Sequence, residues 1–214
     1  MPRDPHKDQP ILQGGAPLGD ATAALILLHG RAGSAQEMLT LASELTSSKS
    51  FAWFVPEAAG RQWYPFSLLE KPEKNSAALH SAIAVVKRSL EKAAAANIAV
   101  ERTVLFGFSQ GATVALEFAA RNPRRYGALI ALSGALLGPE GTPRDYLGAL
   151  EGTPVFLGSG DSDPNIPKRR VDEAAKVFEQ LGAVVTKQIY AGLAHARNQE
   201  EIQKAREILG LLDA

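Results

Sequence analysis

Short runs of consecutive apolar residues alternate along this chain with longer stretches in which apolar positions recur every three or four residues. The first pattern fits strands buried on both faces and the second fits the helices that cover them. Their alternation predicts an α/β fold, a mostly parallel sheet with helices on both sides. The expected strands are 23–28, 51–55, 103–106, 127–132, 154–157 and 184–190. One helix opens at Ser34 with Glu37 three residues on, the pattern of a capping box. A second carries Leu79, Ile83, Val86 and Leu90 along one stripe, and a third carries Val171, Ala174, Phe178 and Leu181 and stops at Gly182. Residues 112–120 and the stretch after Asn198, which has Glu201 at the capping-box spacing, complete the set.

Residues 1–10 follow neither pattern and read as a loose N-terminal arm, while the Pro- and Gly-rich stretches 58–72 and 138–152 read as surface loops. No repeat, linker or compositional break divides the chain. Its 214 residues, 45% of them hydrophobic, are therefore expected to form a single domain, 1–214, around one sizeable core.

Charge and composition narrow the partners. The 23 Lys and Arg balance the 23 Asp and Glu, with no basic cluster, so neither nucleic acid nor an anionic membrane is an expected partner. The longest apolar stretches are too short to span a bilayer, and the first residues lack the apolar core of a signal peptide. The absence of cysteine excludes disulfides, thiolate metal sites and a cysteine nucleophile. The expectation is a soluble, cytoplasmic protein, monomer or homodimer, acting on a small neutral or modestly charged molecule.

Candidate chemistry starts at Gly107-Phe108-Ser109-Gln110-Gly111, which ends one expected strand and begins a helix. G-x-S-x-G in that context is the nucleophile elbow, a tight turn that forces the serine into a strained conformation and exposes its oxygen. The flanking glycines are needed where neighbouring backbone leaves no room for a Cβ. The following helix directs free N–H groups at any oxyanion formed on the serine, and the main chain of Gln110 would supply one of them.

A serine hydroxyl needs a base, and four histidines are available. His6 lies in the polar arm, His80 falls inside a helix, and His29 ends a central strand where a backbone-positioning role suits it. In an α/β-hydrolase the order along the chain is serine, acid, histidine, and only His195 follows Ser109. The acid then belongs to Gly158-Ser-Gly-Asp161-Ser-Asp163-Pro, and spacing alone does not choose between Asp161 and Asp163. Other readings of these loops are weaker. Gly158-Ser-Gly160 lacks the third glycine of a dinucleotide fingerprint, Pro164 and Pro167 replace the further oxygens a calcium loop needs, and Gly30-Arg-Ala-Gly33 has no P-loop lysine.

Five segments, LHGRAGSAQEM (28–38), PEAAGRQWYPFSLL (56–69), GFSQGA (107–112), GDSDPNIP (160–167) and YAGLAHARNQEEI (190–202), stand in this order along the chain. With them the sequence resembles the phospholipase/carboxylesterase family of α/β-hydrolases, the group that includes acyl-protein thioesterases. The resemblance runs from about Leu25 onward. It implies that the acid is Asp163, the aspartate before the proline, with Asp161 stabilising the loop. It also implies that Arg31, after His-Gly in the first loop, gives the second oxyanion N–H. The family often has glycine where this chain has Ala32 and Ala194. If either site needs positive φ, alanine there costs about 1 kcal/mol. Asn165 also stands where the family frequently has an aliphatic residue.

The expected activity is that of a serine carboxylesterase. The catalytic set is Ser109, Asp163 and His195, and the oxyanion donors are the main chains of Arg31 and Gln110. The interval 132–154 leaves no room for a cap domain, so the site should be open. Trp63, Tyr64, Phe66 and Leu68 are expected to line a groove for small to medium-chain esters, with thioesters or lysophospholipids also admissible. No metal or organic cofactor is required. The alternatives are a binding protein on the same fold without turnover, and an acyltransferase using the same triad.

Overall fold

The computed structural model describes residues 4–46 and 50–212. Seven strands form one sheet: β1 (Ile11–Gly15), β2 (Ala23–Leu28), β3 (Phe51–Pro56), β4 (Thr103–Phe108), β5 (Ala128–Leu132), β6 (Pro154–Gly160) and β7 (Val184–Tyr190). Their order is β1-β3-β2-β4-β5-β6-β7, with β1 antiparallel to β3 and every other pair parallel. Among the described residues four α-helices lie between strands, α1 (Ala35–Leu45), α2 (Pro72–Ala95), α3 (Gln110–Arg121) and α4 (Lys168–Gln180), and α5 (Gln199–Gly210) follows the last strand.

The continuous apolar runs are explained by burial on both faces. In β2, Ala23, Leu25 and Leu27 face a cluster with residues of α1 and α5, while Ala24, Ile26 and Leu28 face a second cluster with α2, α3 and α4. Both expected capping boxes are present, at Ser34 with Glu37 and at Asn198 with Glu201. They satisfy helix-end N–H groups that would otherwise lack partners. Gly182 follows α4 with φ 77°, a conformation glycine adopts without penalty.

Three expectations change. β1 was not foreseen, because ILQGG carries two glycines and no buried alternation; its pairing comes from the edge of β3. β4 and β6 run past their apolar residues to Phe108 and Gly160, since ladder bonds to neighbouring strands continue through the glycines. Residues 4–10 are not a loose arm: His6 is buried and bonded to the body of the protein. Residues 1–3 of that arm lie outside the described residues.

The parallel arrangement places the chain reversals after β2, β3, β4, β6 and β7 along one edge of the sheet, at the carboxyl ends of the strands. This is where open α/β sheets form their clefts.

Candidate active site

Ser109 follows β4 directly with φ 55° and ψ −119°. Positive φ is costly for a residue with a side chain, so the surroundings must hold the turn. They do so by proximity. A Cβ on Gly111 would overlap the carbonyls of Leu28 and His29, and one on Gly107 would overlap the main chain at 111–112. The Ser109 N–H donates to the Leu132 carbonyl at 2.9 Å, tying the turn to β5.

His195 reaches the serine from the loop after β7. Its Nε2 lies 2.7 Å from Ser109 Oγ, and its Nδ1 lies 2.7 Å from Asp163 Oδ2. Asp163 is buried, and its other oxygen accepts the N–H groups of Asn165 at 2.8 Å and Ile166 at 3.0 Å. With Oδ1 so occupied, Oδ2 is directed at the imidazole. Asp161, the other candidate acid, accepts the Gly192 N–H at 2.7 Å and so braces the histidine loop. That loop also packs onto Gly160, where a Cβ would overlap the Leu193 carbonyl. Hydroxyl, imidazole and carboxylate thus form one hydrogen-bonded chain, a geometry that lets imidazole take the serine proton while the carboxylate steadies the resulting cation.

Beside the chain opens a cleft of about 580 Å³ whose lining includes Tyr64, Phe66, Leu68, Leu69, Phe108 and Ile166. Arg31 also faces it, but its guanidinium donates to the Gln62 side chain at 3.0 Å and to the carbonyls of Tyr64 at 3.1 Å and Pro65 at 2.9 Å. The exposed cation therefore staples the 62–66 loop. Ala32 does adopt positive φ, 61°, and its N–H donates to the Arg61 carbonyl at 2.8 Å. Ala194 is not among the residues with positive φ.

Trp63 departs from the expected groove. It has 0% exposure, its indole N–H donates to the His29 carbonyl at 2.8 Å, and its ring packs between His6 and His29. The apolar run 63–69 is split by its turn: Trp63 points into the core and Tyr64, Phe66 and Leu68 reach the cleft.

Two contributions were not foreseen from sequence. The buried side chain of Gln110 accepts the Trp63 N–H at 2.9 Å and donates to the Tyr64 carbonyl at 2.8 Å, joining the elbow to the cleft wall. Phe108, the variable residue before the serine, packs against His195 with ring centroids 5.3 Å apart, and Arg197 sits 5.1 Å from the same ring. G-x-S-x-G leaves both variable positions unspecified, so the motif carries no signal for either role. No group of three or more metal-ligating side chains occurs among the described residues, and no helix there is long and apolar enough to cross a membrane.

A model of the phospholipase/carboxylesterase family matches residues 15–212. The acyl-protein thioesterase 1 of Kluyveromyces lactis is 32% identical over 134 residues, 61% of this chain and 59% of that protein. The protein of the same name from Saccharomyces cerevisiae is 30% identical over 127 residues, 58% of this chain and 54% of that protein. The chain thus spans a little over half the length of these curated relatives. Among solved structures, a phospholipase/carboxylesterase from Dyadobacter fermentans is 36% identical with a TM-score of 0.89, covering 94% of this chain and 97% of the other. The Bacillus cereus carboxylesterase, 20% identical, shares the fold with a TM-score of 0.77 over 96% of this chain and 95% of its own.

Proposed function

The chain belongs to the phospholipase/carboxylesterase family of α/β-hydrolases, and on that premise we propose that it hydrolyses carboxylic esters or thioesters through an acyl-enzyme on Ser109. The observation that carries the reading is the continuous chain from Asp163 through His195 to Ser109, with both links at 2.7 Å.

In this reading His195 Nε2 takes the hydroxyl proton as Ser109 Oγ attacks the substrate carbonyl. Asp163 accepts the Nδ1–H, fixes the tautomer and stabilises the imidazolium. The negative charge on the carbonyl oxygen falls to the main-chain N–H groups of Arg31 and Gln110. The latter is the first residue of α3 and has no acceptor within the helix. The imidazolium then protonates the departing alkoxide or thiolate. Water, deprotonated by the same imidazole, attacks the acyl-enzyme and releases the acid.

The substrate reading is small to medium-chain acyl groups in the cleft of Tyr64, Phe66 and Leu68, extended by Leu69 and Ile166. These apolar walls favour a hydrocarbon chain, and the absence of a cap over the site suits compact or exposed esters. Replacing Ser109 with alanine is expected to lower kcat on p-nitrophenyl acetate by at least about 1,000-fold. A Ser109→Ala protein that retained near wild-type turnover would remove the proposal.

A further inference from the structure

The family match begins at residue 15, yet the chain ahead of it is folded against α2 and the loop that leads into the cleft wall. His6 is 1% exposed. Its main-chain N–H donates to Ser81 Oγ at 2.9 Å, and its carbonyl accepts from the Arg88 guanidinium at 2.9 Å. The Ser81 hydroxyl in turn donates to Asp4. In the ring, Nδ1 lies 3.0 Å from the Ala59 nitrogen and Nε2 lies 3.0 Å from the Trp63 carbonyl. A backbone N–H can only donate, so Nδ1 accepts and the ring hydrogen sits on Nε2, which donates to Trp63. Burial lowers the His6 pKa, and Arg88 and His29 add to that; the Trp63 carbonyl and Asp4 oppose it. The neutral ring so favoured is the form that makes both contacts.

Those contacts grip the loop that builds the cleft. Ala59 begins the 3-10 turn Ala59–Arg61, and Arg61 accepts the Ala32 N–H and donates from its side chain to the Gly33 carbonyl at 3.0 Å. Trp63 immediately precedes Tyr64, the first residue of the cleft wall. Gln110 holds the backbone at 63–64 from the elbow side, and His6 holds the carbonyl of Trp63 from the other. Both ring nitrogens of His6 are thus bonded to the backbone of this one loop, four residues apart.

We propose that His6 is a positioning residue for substrate binding: through the backbone of Ala59 and Trp63 it fixes the 64–69 wall of the cleft and so sets KM for esters whose acyl group occupies it. This rests on Ser109 being the nucleophile.

The test compares wild type, His6→Ala, His6→Asn and Ser81→Ala on p-nitrophenyl acetate and p-nitrophenyl hexanoate. Rates are normalised to the serine titratable by a fluorophosphonate, so that loss of folded protein is removed. His6→Ala is expected to raise KM for the hexanoate by about 5- to 10-fold while kcat per titrated site on the acetate stays within about 2-fold. His6→Asn, whose amide offers one acceptor and one donor, should recover part of the change. Ser81→Ala, which removes the acceptor for the His6 N–H, should shift KM in the same direction by less and serves if His6→Ala fails to fold. An unchanged hexanoate KM in these variants, with only a lower melting temperature, would overturn the proposal, as would an equal fall in kcat on both esters. A Ser109→Ala control that still turned over would instead sink the underlying reading of the site.

Discussion

At Ser109 a side chain is held where φ is 55°, and the strain is sustained by two glycines that no other residue can replace. Gly111→Ala would drive a Cβ into backbone carbonyls of β2 and the residue after it, which cannot move without opening the sheet. Its soluble yield and melting temperature are therefore expected to fall sharply. A Gly111→Ala protein with wild-type melting would contradict the packing described. Ala32 is the opposite case: its φ of 61° burdens a residue that has a Cβ, in the loop that carries Arg31. Ala32→Gly is expected to raise stability by up to about 1 kcal/mol, seen as a higher urea midpoint at constant m-value. At this scale the strained turn at Ser109 was legible because steric need writes itself as G-x-S-x-G. The position of Trp63 was not, because an aromatic residue in an apolar loop has the same signature whether it faces core or cleft.

Among the elements, α5 ties the histidine loop to β6. Glu201, at the third position of the helix, accepts the Asn198 N–H at 2.9 Å through Oε2, while Oε1 is buried without a partner and packs against Gly158. Burial raises its pKa to about 7, against the opposing effects of Asn198 and Arg197. The folded protein thus holds a proton that the unfolded chain releases nearer the usual carboxylate value. Stability from this group is full below about 4.5, falls as the pH rises to about 7, and stays reduced above it. Glutamine preserves the capping box and carries no charge. Glu201→Gln should therefore flatten urea midpoints over that range and be the more stable protein at pH 8, by about 2 to 3 kcal/mol. A variant less stable than wild type at pH 8 would show that the carboxylate is not penalised. Both capping boxes could be read from the sequence because their residue types and spacing are local. β1 could not, since its pairing depends on the exposed edge of β3 and not on its own five residues.

Across the whole molecule, residues 86 apart in sequence, Ser109 and His195, meet because the parallel strands β2 to β7 all end at one edge of the sheet. The alternation of apolar runs and amphipathic stretches made that edge foreseeable, and chain order pointed to His195. The support behind the site was not foreseeable: His6, Trp63 and Gln110 converge from 57 and 47 residues apart on backbone groups, which leave no side-chain pattern. Trp63 belongs to this buttress, and Trp63→Ala is expected to cost about 3 to 5 kcal/mol of stability, measured by urea unfolding. A loss under about 1 kcal/mol would place the indole outside the core. The central claim, an activated serine at the convergence of these loops, is tested most directly by treating the intact protein with a fluorophosphonate and locating the adduct by peptide mass spectrometry. The account predicts one adduct per chain, on Ser109, abolished in His195→Ala. An adduct on another residue, no adduct in wild type, or equal labelling of Ser109 without His195 would contradict it.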